Sequence, residues 1–121
     1  MKPKTMKIDD VEYIRKDSIT SKAENVDGME YVMIRTYSAG VHFGYLKSRT
    51  GKEVELVNSK RVYTWSGACS LSQLAIEGSK NPNDCKIAME IPKLTLPEAI
   101  EVIPMTQDAK DNLNNIKVWK K

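Results

Sequence analysis

Two cysteines, Cys69 and Cys85, stand in 121 residues, so no disulfide framework holds this chain together. A single histidine, His42, is present. A closed zinc site needs about four ligands, and His42, Cys69 and Cys85 fall short of that and show no paired spacing. No apolar run approaches the ~18 residues of a membrane span. The charge excess is small: 19 Lys and Arg against 16 Asp and Glu leave +3. That is too little for a histone-like protein held on bulk phosphate charge. No glycine-rich phosphate loop, internal repeat or low-complexity tract occurs, and no motif implies a cofactor. Met1 to Met6 is basic but is followed by Asp9, Asp10 and Glu12 rather than an apolar stretch. A signal peptide is therefore not expected, and the cytoplasm is the expected compartment.

Against those absences, 40% of the residues are hydrophobic and 29% charged, which is the balance of an ordinary globular domain. A chain of this length suits one domain over 1–121, with residues 1–28 forming a hairpin and loop and 29–121 the main body. Lys7 to Arg15 reads as the hairpin around Asp9-Asp10, and Thr20 to Gly28 as the loop. Tyr31 to Tyr37 is β-branched and aromatic, and Ser38-Ala39-Gly40 interrupts it. Val41 to Leu46 resumes as strand, with Val41, Phe43 and Tyr45 on one face. Arg49 to Lys52 is a turn in which Gly51 supplies a positive φ. In Glu53 to Val57 the acids face water while Val54 and Leu56 face a core. Asn58-Ser59 reads as another turn, and Lys60 to Trp65 as the next strand. Ser70, with Gln73 three residues on, caps a helix that Gly78 ends. Lys86 to Ile91 reads as a strand closed by Pro92, and short strands follow around Pro97 and Pro104. Thr106 caps a last, mostly polar helix from Gln107 to Asn115. The expected fold is α+β: a mostly antiparallel meander with two α-helices.

Catalysis has little to work with. His42 lies between Val41 and Phe43 and faces away from both, the usual place of a surface or edge imidazole rather than a general base. Cys69 precedes a helix start that would favour a thiolate, yet Gly67-Ala68-Cys69-Ser70 reads better as a packed strand-to-helix corner. Recognition of an anion and a base is better supplied. Of the four arginines, Arg35 and Arg61 sit in strands beside Tyr37, Tyr63 and Trp65, and arginine suits bidentate phosphate contact and ring stacking. Arg61, Tyr63 and Trp65, at i, i+2 and i+4, share one sheet face that could hold a nucleobase and a phosphate. The plainer alternative is a core face, with Trp65 under the first helix and Arg61 at its rim. Tyr37-Ser38-Ala39-Gly40 could bring backbone N–H groups to an anion, or could be a bulge. The helix start at Ser66 to Ser70 could also hold phosphate.

The runs Arg35-Thr36-Tyr37-Ser38-Ala39-Gly40-Val41-His42-Phe43-Gly44, Arg61-Val62-Tyr63-Thr64-Trp65-Ser66-Gly67-Ala68 and Leu71-Ser72-Gln73-Leu74-Ala75 resemble a family of small phage and prophage proteins. Glu98 to Pro104 and Val118-Trp119-Lys120 fit it too, so the resemblance covers about residues 29–121. That family resembles the Thoeris anti-defence sponges. The resemblance implies a protein that sequesters cyclic ADP-ribose isomers made by TIR-domain defence enzymes, without cleaving them. It implies a small sheet with two helices and a homo-oligomer built from dimers, either a dimer or a trimer of dimers as a hexamer. It also implies that some members hold cyclic trinucleotides at a separate site. It assigns no ligand residue position by position.

The residues themselves offer the matching chemistry: Tyr37, Tyr63 and Trp65 to stack, Arg35 and Arg61 for phosphates, Ser38 and Asn58 for sugars. The expected function is a non-enzymatic phage protein of the host cytoplasm that binds a nucleotide-derived immune signal. A single-stranded nucleic-acid-binding accessory protein is the first alternative, with nucleic acid the less favoured partner at this charge. A host-protein-binding module is the other.

Overall fold

The computed structural model describes residues 21–120. The hairpin expected over Lys7 to Arg15 lies outside them. Among the described residues, six strands form one antiparallel sheet and two α-helices pack on it: a single small α+β domain. The strands are β1 (Glu30–Thr36), β2 (Val41–Thr50), β3 (Glu53–Thr64), β4 (Lys86–Ile87), β5 (Ile91–Leu96) and β6 (Ala99–Pro104). The helices are α1 (Leu71–Glu77) and α2 (Gln107–Asn114). The sheet runs β4-β3-β2-β1-β6, and β5 shares the outer edge of β3 with β4. None of these helices is long and apolar enough to cross a membrane.

Two irregularities shape the sheet. Asn58-Ser59 does not turn the chain; it is a bulge inside one 12-residue strand, with Asn58 at φ 51°. Asparagine tolerates that left-handed conformation, so a polar pair that reads as a turn can instead be absorbed in a ladder. Gly44 faces the bulge, and a Cβ there would stand 2.9 Å from Ser59 Cα. A second register shift lies between Leu46 and Ser48. Bulges bend a hairpin. The bend is large, because Lys52 at the hairpin tip accepts a hydrogen bond from Ala99 N (2.9 Å), while Tyr37 N donates to Glu98 O (3.0 Å). A flat ten-residue strand would leave tip and base roughly 30 Å apart. The sheet therefore folds over itself.

Its concave side encloses Val32, Ile34, Val54, Leu56, Leu96 and Ala99, each no more than 3% exposed. Its convex side packs Tyr31, Met33 and Phe43 against Leu74 of α1 and Ala109 and Leu113 of α2. β1 is thus apolar on both faces, and its Tyr31-Val32-Met33-Ile34 run is continuous rather than alternating because both sides are covered.

Both helices start where their caps predict. Ser70 Oγ accepts from Gln73 N (3.1 Å) and Thr106 Oγ1 from Ala109 N (3.0 Å). Gly78 ends α1 at φ 75°. The last helix buries Ala109 and Leu113, so its polar sequence conceals a narrow core stripe. The strand expected over Lys86 to Ile91 is broken: β4 stops at Ile87, and the chain crosses Ala88 to Glu90 before β5 begins. β5 continues through Pro92, and β6 ends on Pro104; both lie at sheet edges, where a missing N–H costs no ladder bond.

Candidate functional site

The concave face is apolar at one end and polar at the other. The register His42↔Arg61 and the inward turn of Ser59 put these three side chains side by side. They form the floor of a cleft of about 270 Å³. Ala88, Met89, Ile91 and Leu94, from the crossing segment and β5, form its wall.

Each floor residue is held by local structure. His42 is 5% exposed, and its Nε2 donates to Ala39 O at 2.8 Å. This corrects the surface or edge position expected of it: the bent sheet covers both its sides. Burial holds the imidazole below its ordinary pKa of 6.5; the Ala39 carbonyl opposes that and Arg61 reinforces it. His42 is accordingly neutral near pH 7. Ser59 is fully buried, yet its hydroxyl has no hydrogen-bond partner among the described residues. Arg61 is half-buried; its Nε is buried and also lacks a partner among them. The Arg61 guanidinium carbon lies 4.7 Å from the Tyr63 ring centroid. On Gly40, at φ 84°, a Cβ would meet Arg61 Nη2 at 3.1 Å, so glycine makes the room the guanidinium occupies. Thr36 Oγ1 donates to Gly40 O (2.7 Å) and accepts from Ala39 N (2.9 Å), which fixes that loop beneath the arginine.

Outward from the cleft runs a row of cations and rings. Tyr63 meets Trp119 edge to face at 5.0 Å, and Lys86 Nζ lies 5.3 Å from the Trp119 ring. Trp119 N donates to Ile87 O (2.9 Å), which docks the C-terminal segment on β4 and puts the ring there.

Of the candidates named from sequence, Arg61 and Tyr63 come together. Asn58 adjoins them only through the bulge, where it is exposed. Arg35 pairs in register with Val41 and so lies on the opposite face from Arg61; it sits 3.5 Å from Glu101 Oε1 in solvent. Tyr37 is 78% exposed in the β1–β2 loop, and Ser38 donates to Glu98 Oε1 at 3.1 Å. Trp65 lies beyond the end of β3, so the stacked face stops at Tyr63; Trp65 is 37% exposed rather than buried in a core face. Several of the N–H groups in the two segments expected to meet an anion already have partners: Tyr37 N bonds Glu98 O, Ala39 N bonds Thr36 Oγ1, and Cys69 N bonds Gln73 Oε1 at 2.8 Å. His42, Ser59 and Trp119 join the site without having been singled out for it. Strand alternation carried no signal for Trp119, whose place depends on the C-terminal segment reaching β4. The parity of His42 with Arg61 follows once the Asn58 bulge is counted.

Two other hollows, about 340 Å³ under Trp119 and about 460 Å³ beside Gly67 to Gln73, contain no unpartnered buried side-chain donor among the described residues. Nor do any three His, Cys, Asp or Glu there cluster as a metal site would require.

A family model described as a domain of unknown function (DUF6948) matches residues 29–113. The chain belongs to that family. The DUF6948 segment runs from the start of β1 nearly to the end of α2. It contains the whole cleft and leaves Trp119 outside. No curated protein and no solved structure matches the chain.

Proposed function

We propose that this DUF6948 domain binds and sequesters a small, phosphate-bearing, nucleotide-derived molecule at the Arg61 cleft and releases it unaltered. One observation carries this: Ser59 Oγ and Arg61 Nε are buried beside a concave opening with nothing to bond. An unsatisfied buried donor costs about 1–3 kcal/mol, and a ligand acceptor removes that cost. The rings of Tyr63 and Trp119 and the cations of Arg61 and Lys86 add the partners a base and a phosphate need. Release unaltered is in keeping with a cleft whose imidazole, His42, is buried with its Nε2–H committed to the Ala39 carbonyl.

The resemblance to the Thoeris anti-defence sponges makes a cyclic ADP-ribose isomer the first ligand to try, and a phage protein acting in the host cytoplasm the setting. The cleft is smaller than the roughly 300–1,000 Å³ of pockets that enclose a whole ligand. A second copy closing over the rim would complete it, in keeping with a homo-oligomer built from dimers.

The test is capture. Protein exposed to the product of a TIR-domain enzyme, washed and then heated, returns the intact cyclic molecule to a mass spectrometer. Arg61→Ala, folded by circular dichroism, returns about a hundredth as much or less. Recovery of ADP-ribose instead means hydrolysis and overturns sequestration. The pair of rings flanked by two cations, from Arg61 to Lys86, favours a second reading, a single nucleic-acid strand lying along that row. In that case oligonucleotide affinity falls steeply with added salt.

A further inference from the structure

A nucleotide-derived ligand offers the cleft two unlike ends, an uncharged base and charged phosphates. The floor provides two free donors, Ser59 O–H and Arg61 Nε–H, and one cation. The remaining wall is hydrocarbon and thioether: Ala88, Met89, Ile91 and Leu94. A phosphate placed there would exchange its hydration for two donors, one guanidinium and an apolar wall, so several of its acceptor sites would go unbonded. A flat heteroaromatic ring fits the same surroundings. Its faces meet the wall, and two acceptors on its leading edge meet the two donors.

We infer that the cleft admits an uncharged, nucleobase-like ring edge first, with acceptors at Ser59 Oγ and Arg61 Nε, while the phosphates remain outside. This rests on the ligand class proposed above and adds which part of it is read, and by what. Ser59 becomes the specificity-determining residue. The outer guanidinium nitrogens of Arg61 and the Lys86 ammonium, at the two ends of the Tyr63–Trp119 pair, face the charged remainder.

Neither floor donor is open to solvent, so part of the wall moves when the ring enters. Met89 is the part that can. It is unbranched and 57% exposed, whereas the residue before it is pinned by Ala88 N donating to Arg61 O at 2.9 Å.

The experiment uses the full chain and three probes: adenosine, ribose 5-phosphate and inorganic phosphate, each titrated by calorimetry into wild type and Ser59→Ala. Adenosine binds wild type, and Ser59→Ala weakens it about tenfold. The two phosphates without a base show no heat at the cleft. Ser59→Ala melts no lower than wild type, because it removes a hydroxyl that bonds nothing in the folded chain. Loss of affinity without loss of stability separates recognition from scaffolding. Binding of ribose 5-phosphate with adenosine inert overturns the inference, as does adenosine affinity indifferent to Ser59→Ala. Neither result touches the capture of an intact cyclic ADP-ribose isomer, which the preceding experiment reads. Conversely, Ser59-dependent adenosine binding without such capture upholds the ring-first cleft and ends the sequestration proposal.

Discussion

Arg35 and Arg61 flank β2 from its two sides, on β1 and β3, and each has a tyrosine two residues on. Their surroundings could hardly differ more. Arg35 extends into water with 57% of its side chain exposed and shares its charge with Glu101. Arg61 lies half-buried on the concave face, against Gly40 and the Tyr63 ring, with a donor left over. Side-chain parity makes the difference. Arg35 is opposite Val41 and Arg61 is opposite His42, so consecutive residues of β2 send the two guanidinium groups to opposite sides. Of the two arginine–tyrosine pairs, the one on the concave face keeps a buried Nε with no partner among the described residues.

The contrast is testable by substitution. Arg61→Ala reduces ligand capture by about 100-fold, from loss of a charged hydrogen bond and its stacked plane; equilibrium binding measures it. Gly44→Ala acts next, through the fold. Its Cβ would collide with the Ser59 backbone at the bulge, so urea denaturation loses about 2 kcal/mol. His42 contributes a pH dependence. Burial depresses its folded pKa below 6.5. The unfolded chain therefore takes up a proton in a pH range where the folded chain does not, so stability falls as the pH drops below 6.5. Urea midpoints on either side of that value should show the decline in wild type and a flatter profile in His42→Gln. Arg35→Ala changes least: its pair with Glu101 is open to solvent, so stability moves by less than about 0.5 kcal/mol, and capture within about twofold.

Local chemistry made much of the fold legible. Ser70, Gln73 and Gly78 bound α1, Gly51 turns the β2–β3 hairpin at φ 61°, and Val54 and Leu56 alternate into the core. Nonlocal geometry did not announce itself. Asn58-Ser59 has the composition of a turn whether it reverses the chain or bulges within a strand. Only the ladder to Tyr45 and Phe43 decides between them, and that ladder orients Ser59. Lys86 to Ile91 has strand composition throughout, but β3 bends, and its edge accepts β4 and β5 in separate stretches. The same limits governed the site. Arg61 and Tyr63 share a face by simple alternation. Trp65 would have joined them had the ladder continued past Thr64, and Trp119 takes the neighbouring place from the far end of the chain.

The central claim is that Arg61 Nε–H waits for an acceptor that a ligand supplies. Nitrogen-edited NMR of the arginine side chains observes that group directly, with Arg35 as the internal reference and the Arg61 signal assigned from its disappearance in Arg61→Lys. On addition of adenosine, and then of a cyclic ADP-ribose isomer, the Arg61 Nε–H resonance should shift downfield and exchange more slowly with solvent while that of Arg35 stays still. An Arg61 signal that ignores both ligands, or one that moves no more than that of Arg35, would contradict the account.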